Sequence, residues 1–188
     1  MRTVPRWAVL SATCAPVLLI GGWQLAAARQ AGSFDPVRET ISALAAHGAT
    51  DRWIMTTALA GVGVCHAITA AGLRPAATAG RLLLATGGAA TVLLAAFPQP
   101  VAGDSVAHVA AATIVLPAMS LWPALAARRG VTPGPVVWLV AAAGLLGLLS
   151  WFGFEYFGDG PRIGLSERAL TGAQALWPLA AVLLARRR

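Results

Sequence analysis

The sequence predicts an all-α integral membrane protein: a bundle of six transmembrane helices, with a short amphipathic outer-leaflet helix between spans one and two. Three observations carry that expectation. Only 11% of the 188 residues are charged, 57% are hydrophobic and the mean hydropathy is +0.71, whereas a soluble domain of this size carries about 25% charged residues. The apolar residues are gathered into six runs, each close to the length a bilayer requires. The charges divide between alternate loops. So little polar surface cannot cover a water-exposed globule, and the length suits one domain, 1-188, without a separate extramembrane part.

Taken in order, the spans fall at about 7–28, 53–73, 82–97, 106–127, 135–157 and 169–185, separated by punctuation such as Arg74-Pro75, Pro98-Gln99-Pro100, Arg128-Arg129-Gly130 and Gly158-Asp159-Gly160-Pro161. The third and sixth runs are short and should stand nearly upright. The first resembles a signal peptide in its basic flank and in Ala26-Ala27-Ala28, but its apolar run is longer than such a core. Cys14 and Cys65 lie within apolar runs and read as small buried hydrophobes. Glycines within the spans, Gly61, Gly63, Gly87, Gly88, Gly144 and Gly147, suit close helix packing. Pro117 and Pro123 should kink the fourth span and open space beneath its outer half.

The net charge is +7 and every basic residue is arginine. Arg2, Arg6, Arg74, Arg81, Arg128, Arg129, Arg186, Arg187 and Arg188 fall at the termini and in the loops after spans two and four, with no acid among them. The other loops and helix ends hold the remaining five arginines and all seven acids: Asp35, Glu39, Asp51, Asp104, Glu155, Asp159 and Glu167. The positive-inside rule then places both termini in the cytoplasm and the acids outside. Arginines at span ends are orientation signals rather than a nucleic-acid groove, so no nucleic-acid partner is expected.

The longest loop, 29–51, should hold the amphipathic helix, over about 36–46. Asp35 suits the N-cap, Pro36 the first helical position and Gly48 the end, while Val37, Ile41, Leu44 and Ala45 recur at helical spacing. On its other faces Arg38 and Ser42 stand one turn apart, where they can share a ligand. This helix either covers the bundle or acts as a lid over a cavity.

Asp35-Pro36-Val37-Arg38-Glu39-Thr40-Ile41-Ser42-Ala43-Leu44, with Arg52-Trp53 after it, resembles the bacterial and archaeal membrane family called domain of unknown function 998. Phe97-Pro98 leading to Asp104 and His108, the six-span layout, and Gly164-Leu165-Ser166-Glu167-Arg168 before the last helix fit the same family. The resemblance implies a six-helix bundle in a bacterial cytoplasmic membrane, with its polar motif on the outer side. Actinobacterial membrane terpene cyclases of similar size look like a neighbouring group, although none of their catalytic motifs maps here residue by residue.

Three constellations could carry chemistry. Asp104 and His108 stand four apart at the outer end of span four, an arrangement for an acid–base or proton-relay pair, or simply for a helix cap and a core histidine. At the outer end of span five, Glu155 sits among Trp151, Phe152, Phe154, Tyr156 and Phe157. These rings read as an interfacial belt, or as a π-rich pocket in which an acid initiates isoprenoid cyclisation and the rings stabilise the cation. Glu167 and Arg168, preceding span six with Ser166 as its cap, should pair with Arg38 or Glu39, or hold an anionic head group. Zinc has weak support: His47, His108 and Asp104 lack ligand spacing, and His66 lies too far along span two to join them. No cofactor motif is present.

The sequence thus points to an integral membrane enzyme acting on a lipophilic substrate, isoprenoid or lipid, at the outer leaflet. Its catalytic candidates are Asp104, His108, Glu155 and Glu39; its substrate-binding candidates are Arg38, Ser42, Trp151, Phe154, Tyr156, Glu167 and Arg168. Expected partners are the lipid bilayer, a lipophilic small molecule and a second copy of the chain. The competing reading is a non-catalytic accessory or lipid-binding module. A transporter fits least, because no internal repeat is visible and His66 is the one ionisable group near the midplane.

Overall fold

The computed structural model describes residues 3–101, 103, 105–130 and 133–186. Its helices are α1 (Arg6–Ala28), α2 (Trp53–Gly72), α3 (Thr78–Ala96), α4 (Val106–Ala126), α5 (Pro135–Phe157) and α6 (Ile163–Arg186). All six are long and apolar enough to cross a bilayer, so the chain is a multi-pass membrane protein of the all-helical class the sequence indicates. Each helix packs on its chain neighbours and α6 returns to α1, closing the six into a ring.

Two spans differ from their expected bounds. Helix α3 begins at Thr78, and Arg81 inside its first turns donates from Nε and a terminal nitrogen to the carbonyls of Ala70 and Ala71, 2.7 and 2.9 Å away. That arginine satisfies the last turn of α2, where a cation also complements the helix dipole. Helix α6 begins at Ile163, so Ser166, Glu167 and Arg168 lie inside it rather than before it. Its start is held by Glu155, whose carboxylate accepts the Arg162 N–H at 2.9 Å, a favourable place for negative charge.

The segment between α1 and α2 departs furthest from expectation. Asp35 does open a turn: its side chain accepts the Val37 N–H at 2.9 Å, and Glu39 reaches back to the Asp35 N–H at 2.8 Å. The turn does not propagate into a helix over 36–46; one turn of 3-10 helix, Ser42–Ala45, follows instead. The cause is tertiary. Backbone groups that a helix would have used are taken by α6: Arg168 donates to the carbonyls of Pro36 (2.8 Å) and Glu39 (2.6 Å), the Leu165 N–H donates to Val37 O (3.0 Å), and the Ile41 N–H donates to the Glu167 carboxylate. Gly164 lets the chains approach, since a Cβ there would lie 2.3 Å from the Glu39 carbonyl oxygen.

The interior has two apolar clusters. One, toward the arginine-rich end, is built on Trp122, Trp138, Met119 and Leu84 with many alanines. The other gathers Ile41, Leu44 and Ala45 of the loop onto Leu19, Met55 and Leu59, near the acidic end.

Candidate functional site

Between the helices lies a cavity of about 420 Å³, within the range of small-molecule sites. Most of its wall is apolar: Leu19, Leu59 and Val62 from α1 and α2, Leu94 from α3, Val115, Leu116 and Met119 from α4, and Leu149 from α5. Phe152, Tyr156 and Phe157 add three rings from α5. Thr40, Ile41 and Ser42 of the loop roof it at the acidic end. Polar groups are few and grouped: Ser42, Gln99, His108 and Glu167 near that roof, and Thr91, His66 and Gln174 further in.

The roof cluster has a defined hydrogen-bond order. Ser105 caps α4 by accepting the His108 N–H at 3.2 Å, which orients the first turn and with it the imidazole. Nδ1 of His108 is 2.9 Å from the Phe97 carbonyl oxygen and Nε2 is 3.2 Å from Ser42 Oγ. A carbonyl can only accept, so Nδ1 carries a proton and Nε2 of the neutral ring accepts from the Ser42 hydroxyl. On its other side Ser42 faces the Glu167 carboxylate, which also receives the Ile41 N–H. When the imidazole is protonated, Nε2–H donates to Ser42 and Ser42 donates onward to Glu167. Histidine and serine are thus hydrogen-bonded to each other, with the Glu167 carboxylate next to the serine on the same cavity wall.

Of the catalytic and substrate-binding candidates named from the sequence, Ser42, His108, Tyr156 and Glu167 line this cavity. The others are elsewhere. Asp104 lies outside the described residues, and Ser105 supplies the helix cap. Glu155 is buried but turned to the α5–α6 connection, its oxygens accepting Trp151 Nε1–H at 3.2 Å and the Arg162 N–H at 2.9 Å. Trp151 is thereby committed to that turn, and Phe154, 77% exposed, faces outward. Glu39 and Arg38 are exposed on the loop; Arg38 pairs with Asp35 at 3.6 Å rather than sharing a site with Ser42.

Glu167 and Arg168 do not join a salt-bridge network with Arg38 or Glu39. Their partners are backbone groups, and Arg168 also lies 5.5 Å from the Phe34 ring centroid. The Arg168 hydrogen bonds all come from one terminal guanidinium nitrogen, whose two N–H groups are shared among the carbonyls of Pro36, Glu39 and Gly164, while the other terminal nitrogen is buried without a partner among the described residues. His47 is exposed, and its N–H ties the loop to Gln99 O at 2.8 Å. Among the described residues no three His, Cys, Asp or Glu side chains gather as a metal site.

Two lining residues escaped the sequence reading. Gln174 carries no motif. His66 was set apart from His108 by distance along the helices, yet both line one cavity because that cavity runs along the bundle axis.

A family model described as "Protein of unknown function (DUF998)" matches residues 13–184. No curated protein and no solved structure matches the chain.

Proposed function

The chain belongs to the DUF998 family of proteins of unknown function, and we propose that it is a membrane enzyme performing proton transfer on a lipophilic substrate held inside the helix ring. The observation that carries this is the hydrogen-bonded His108–Ser42 pair standing beside Glu167 on the wall of an apolar cavity. General acid–base catalysis needs a proton donor and a proton store within hydrogen-bond reach of the reacting group. Here Ser42 passes the proton: His108 gives one from Nε2, Glu167 receives one, and the hydroxyl is restored. No net charge is created in the relay, which suits a site walled by hydrocarbon.

The entry side supports a substrate drawn from lipid. The exposed lining residues Phe157 (86%), Tyr156 (44%), Val109 (37%) and Thr113 belong to α4 and α5, and we place the opening between these helices. The arginine distribution puts the acidic end on the outer side of a bacterial cytoplasmic membrane, with both termini inside. Cyclisation of an isoprenoid is the most specific form of the reading: Glu167 protonates a double bond, the rings of Phe152, Tyr156 and Phe157 stabilise the cation, and the relay takes back a proton as the product alkene forms. Substrate and product are then isomers. Glu155, one of the first candidates for the acid, is turned to the α5–α6 connection, and Glu167, which lines the cavity, takes its place in this proposal.

The test is to incubate the chain in lipid nanodiscs with geranylgeranyl hydroquinone in deuterated buffer. An isomeric product carrying one deuterium is expected, and Glu167→Gln should lower its formation by about 10²-fold or more. An unaltered rate in Glu167→Gln, or no isomer from the wild type, defeats the enzymatic reading. Binding without turnover would instead favour the lipid-binding module, for which the use of Glu167 and Arg168 to hold the loop already speaks.

A further inference from the structure

The deep end of the cavity holds polar groups that the proton relay does not use. By helical rise, His66 lies about 20 Å from the start of α2 and Gln174 about 16 Å from the start of α6, whereas His108 lies about 3 Å from the start of α4. His66 is 2% exposed and lines the cavity, and its Nδ1 has no hydrogen-bond partner among the described residues. Such atoms are rare in folded interiors and call for a reason. Gln174 is fixed beside the same space: its Nε2 donates to Leu116 O at 2.9 Å and to Ser120 Oγ at 3.0 Å. That orientation leaves its amide oxygen as an acceptor without a donor among the described residues.

We propose that His66 and Gln174 form a second binding subsite, which takes an uncharged hydroxyl at the buried end of the occupant. A hydroxyl can accept from one group and donate to another, which suits an imidazole and an amide oxygen that line the same cavity at similar depth. A charged group would be stranded, because among the described residues Glu167 is the one Asp, Glu, Lys or Arg in the lining and it belongs to the roof. The occupant is therefore a mainly hydrocarbon molecule with a hydroxyl at its buried end, its other end lying beneath the polar groups of the roof. This rests on the cavity being a lipophilic binding site.

Two probes separate the claims: 1-dodecanol, with one hydroxyl, and 1,12-dodecanediol, long enough to put one at each end. Their affinities for the full chain in nanodiscs, measured by calorimetric titration, give a diol-to-alcohol ratio, and comparing that ratio between variants cancels the cost of leaving water. His66→Phe should lower the ratio about tenfold, the worth of one hydrogen bond, while 1-dodecanol still binds. His66→Asn, which keeps a polar group, should restore part of it. A ratio unchanged in His66→Phe overturns the subsite and leaves the cavity reading standing; failure of the wild type to bind either probe overturns both. Retained 1-dodecanol binding by His66→Phe also shows that the variant is folded.

Discussion

The two ends of the bundle are made from similar apolar helices and put to opposite use. At the arginine-rich end the interior is filled. Trp122, Trp138 and Trp177 pack edge to face, with centroids 5.5 and 5.8 Å apart, an arrangement favoured by the ring quadrupoles. Trp138 anchors the set by donating to Pro133 O at 3.0 Å. At the acidic end the helices leave a cavity, and the chain between α1 and α2 roofs it, held by backbone hydrogen bonds to α6 and by Ile41, Leu44 and Ala45 packed onto α1 and α2. The difference teaches where the protein keeps its rigidity: the filled end fixes the helix positions, so the hollow end, packed mainly where the loop meets α1 and α2, can present a few polar groups at set distances around an open space.

The contrast can be broken most severely at the filled end. Trp138→Ala removes the shared ring of both aromatic pairs and should cost about 3–5 kcal/mol, read as a large fall in thermal midpoint in detergent. A comparable fall from Tyr156→Ala at the cavity wall would show that the two ends do not differ in this way. At the hollow end, Arg168→Met removes a guanidinium that serves three carbonyls, those of Pro36, Glu39 and Gly164. Charged hydrogen bonds contribute about 1.5–3 kcal/mol, so amide exchange over residues 37–42 should quicken by about 10- to 100-fold. The thermal midpoint of the bundle should move far less. If exchange accelerates equally throughout the protein, the roof is not a separate cooperative unit.

The smallest effects sharpen the comparison at single atoms. A Cβ at Gly80 would lie 2.3 Å from the Ala126 backbone nitrogen, whereas one at Gly147 meets nothing within 4 Å. Gly80→Ala should therefore cost about 1–3 kcal/mol through overpacking, and Gly147→Ala should stay within about 0.5 kcal/mol. Equal melting shifts for the two would remove the case for close α3–α4 contact.

Those glycines also show what could be read from the sequence. Gly61, Gly63, Gly87 and Gly88 do lie against neighbouring helices, but Gly144 and Gly147 face open space; an apolar run gives the span without saying which side meets protein. The six spans were legible because hydrocarbon imposes a length and a composition on any helix that crosses it. The roof was not, because its conformation is decided by residues more than a hundred positions away. Local signals in Asp35-Pro36 specified the first turn correctly, and the carbonyls claimed by Arg168 then stopped it. Charge led the reading of Glu167 and Arg168 toward ionic partners, whereas burial gave them backbone ones. His108 and Ser42 were each singled out, but nothing in their spacing reveals that they meet, since one lies on a loop and the other on a helix 66 positions on.

The roof has a consequence for how the molecule is made. It is second in chain order, between α1 and α2, yet its fasteners lie on α6, with separations of 129 and 132 positions for the Arg168 bonds. Membrane helices emerge from synthesis one after another, and a chain is built from its N-terminus. Until the last helix arrives, the carbonyls of Pro36 and Glu39 must be served by water, and the space beneath stays uncovered. Closure of the cavity is thus a report that all six helices have been delivered and seated. A chain truncated before α6 would keep most of its spans and lose its roof.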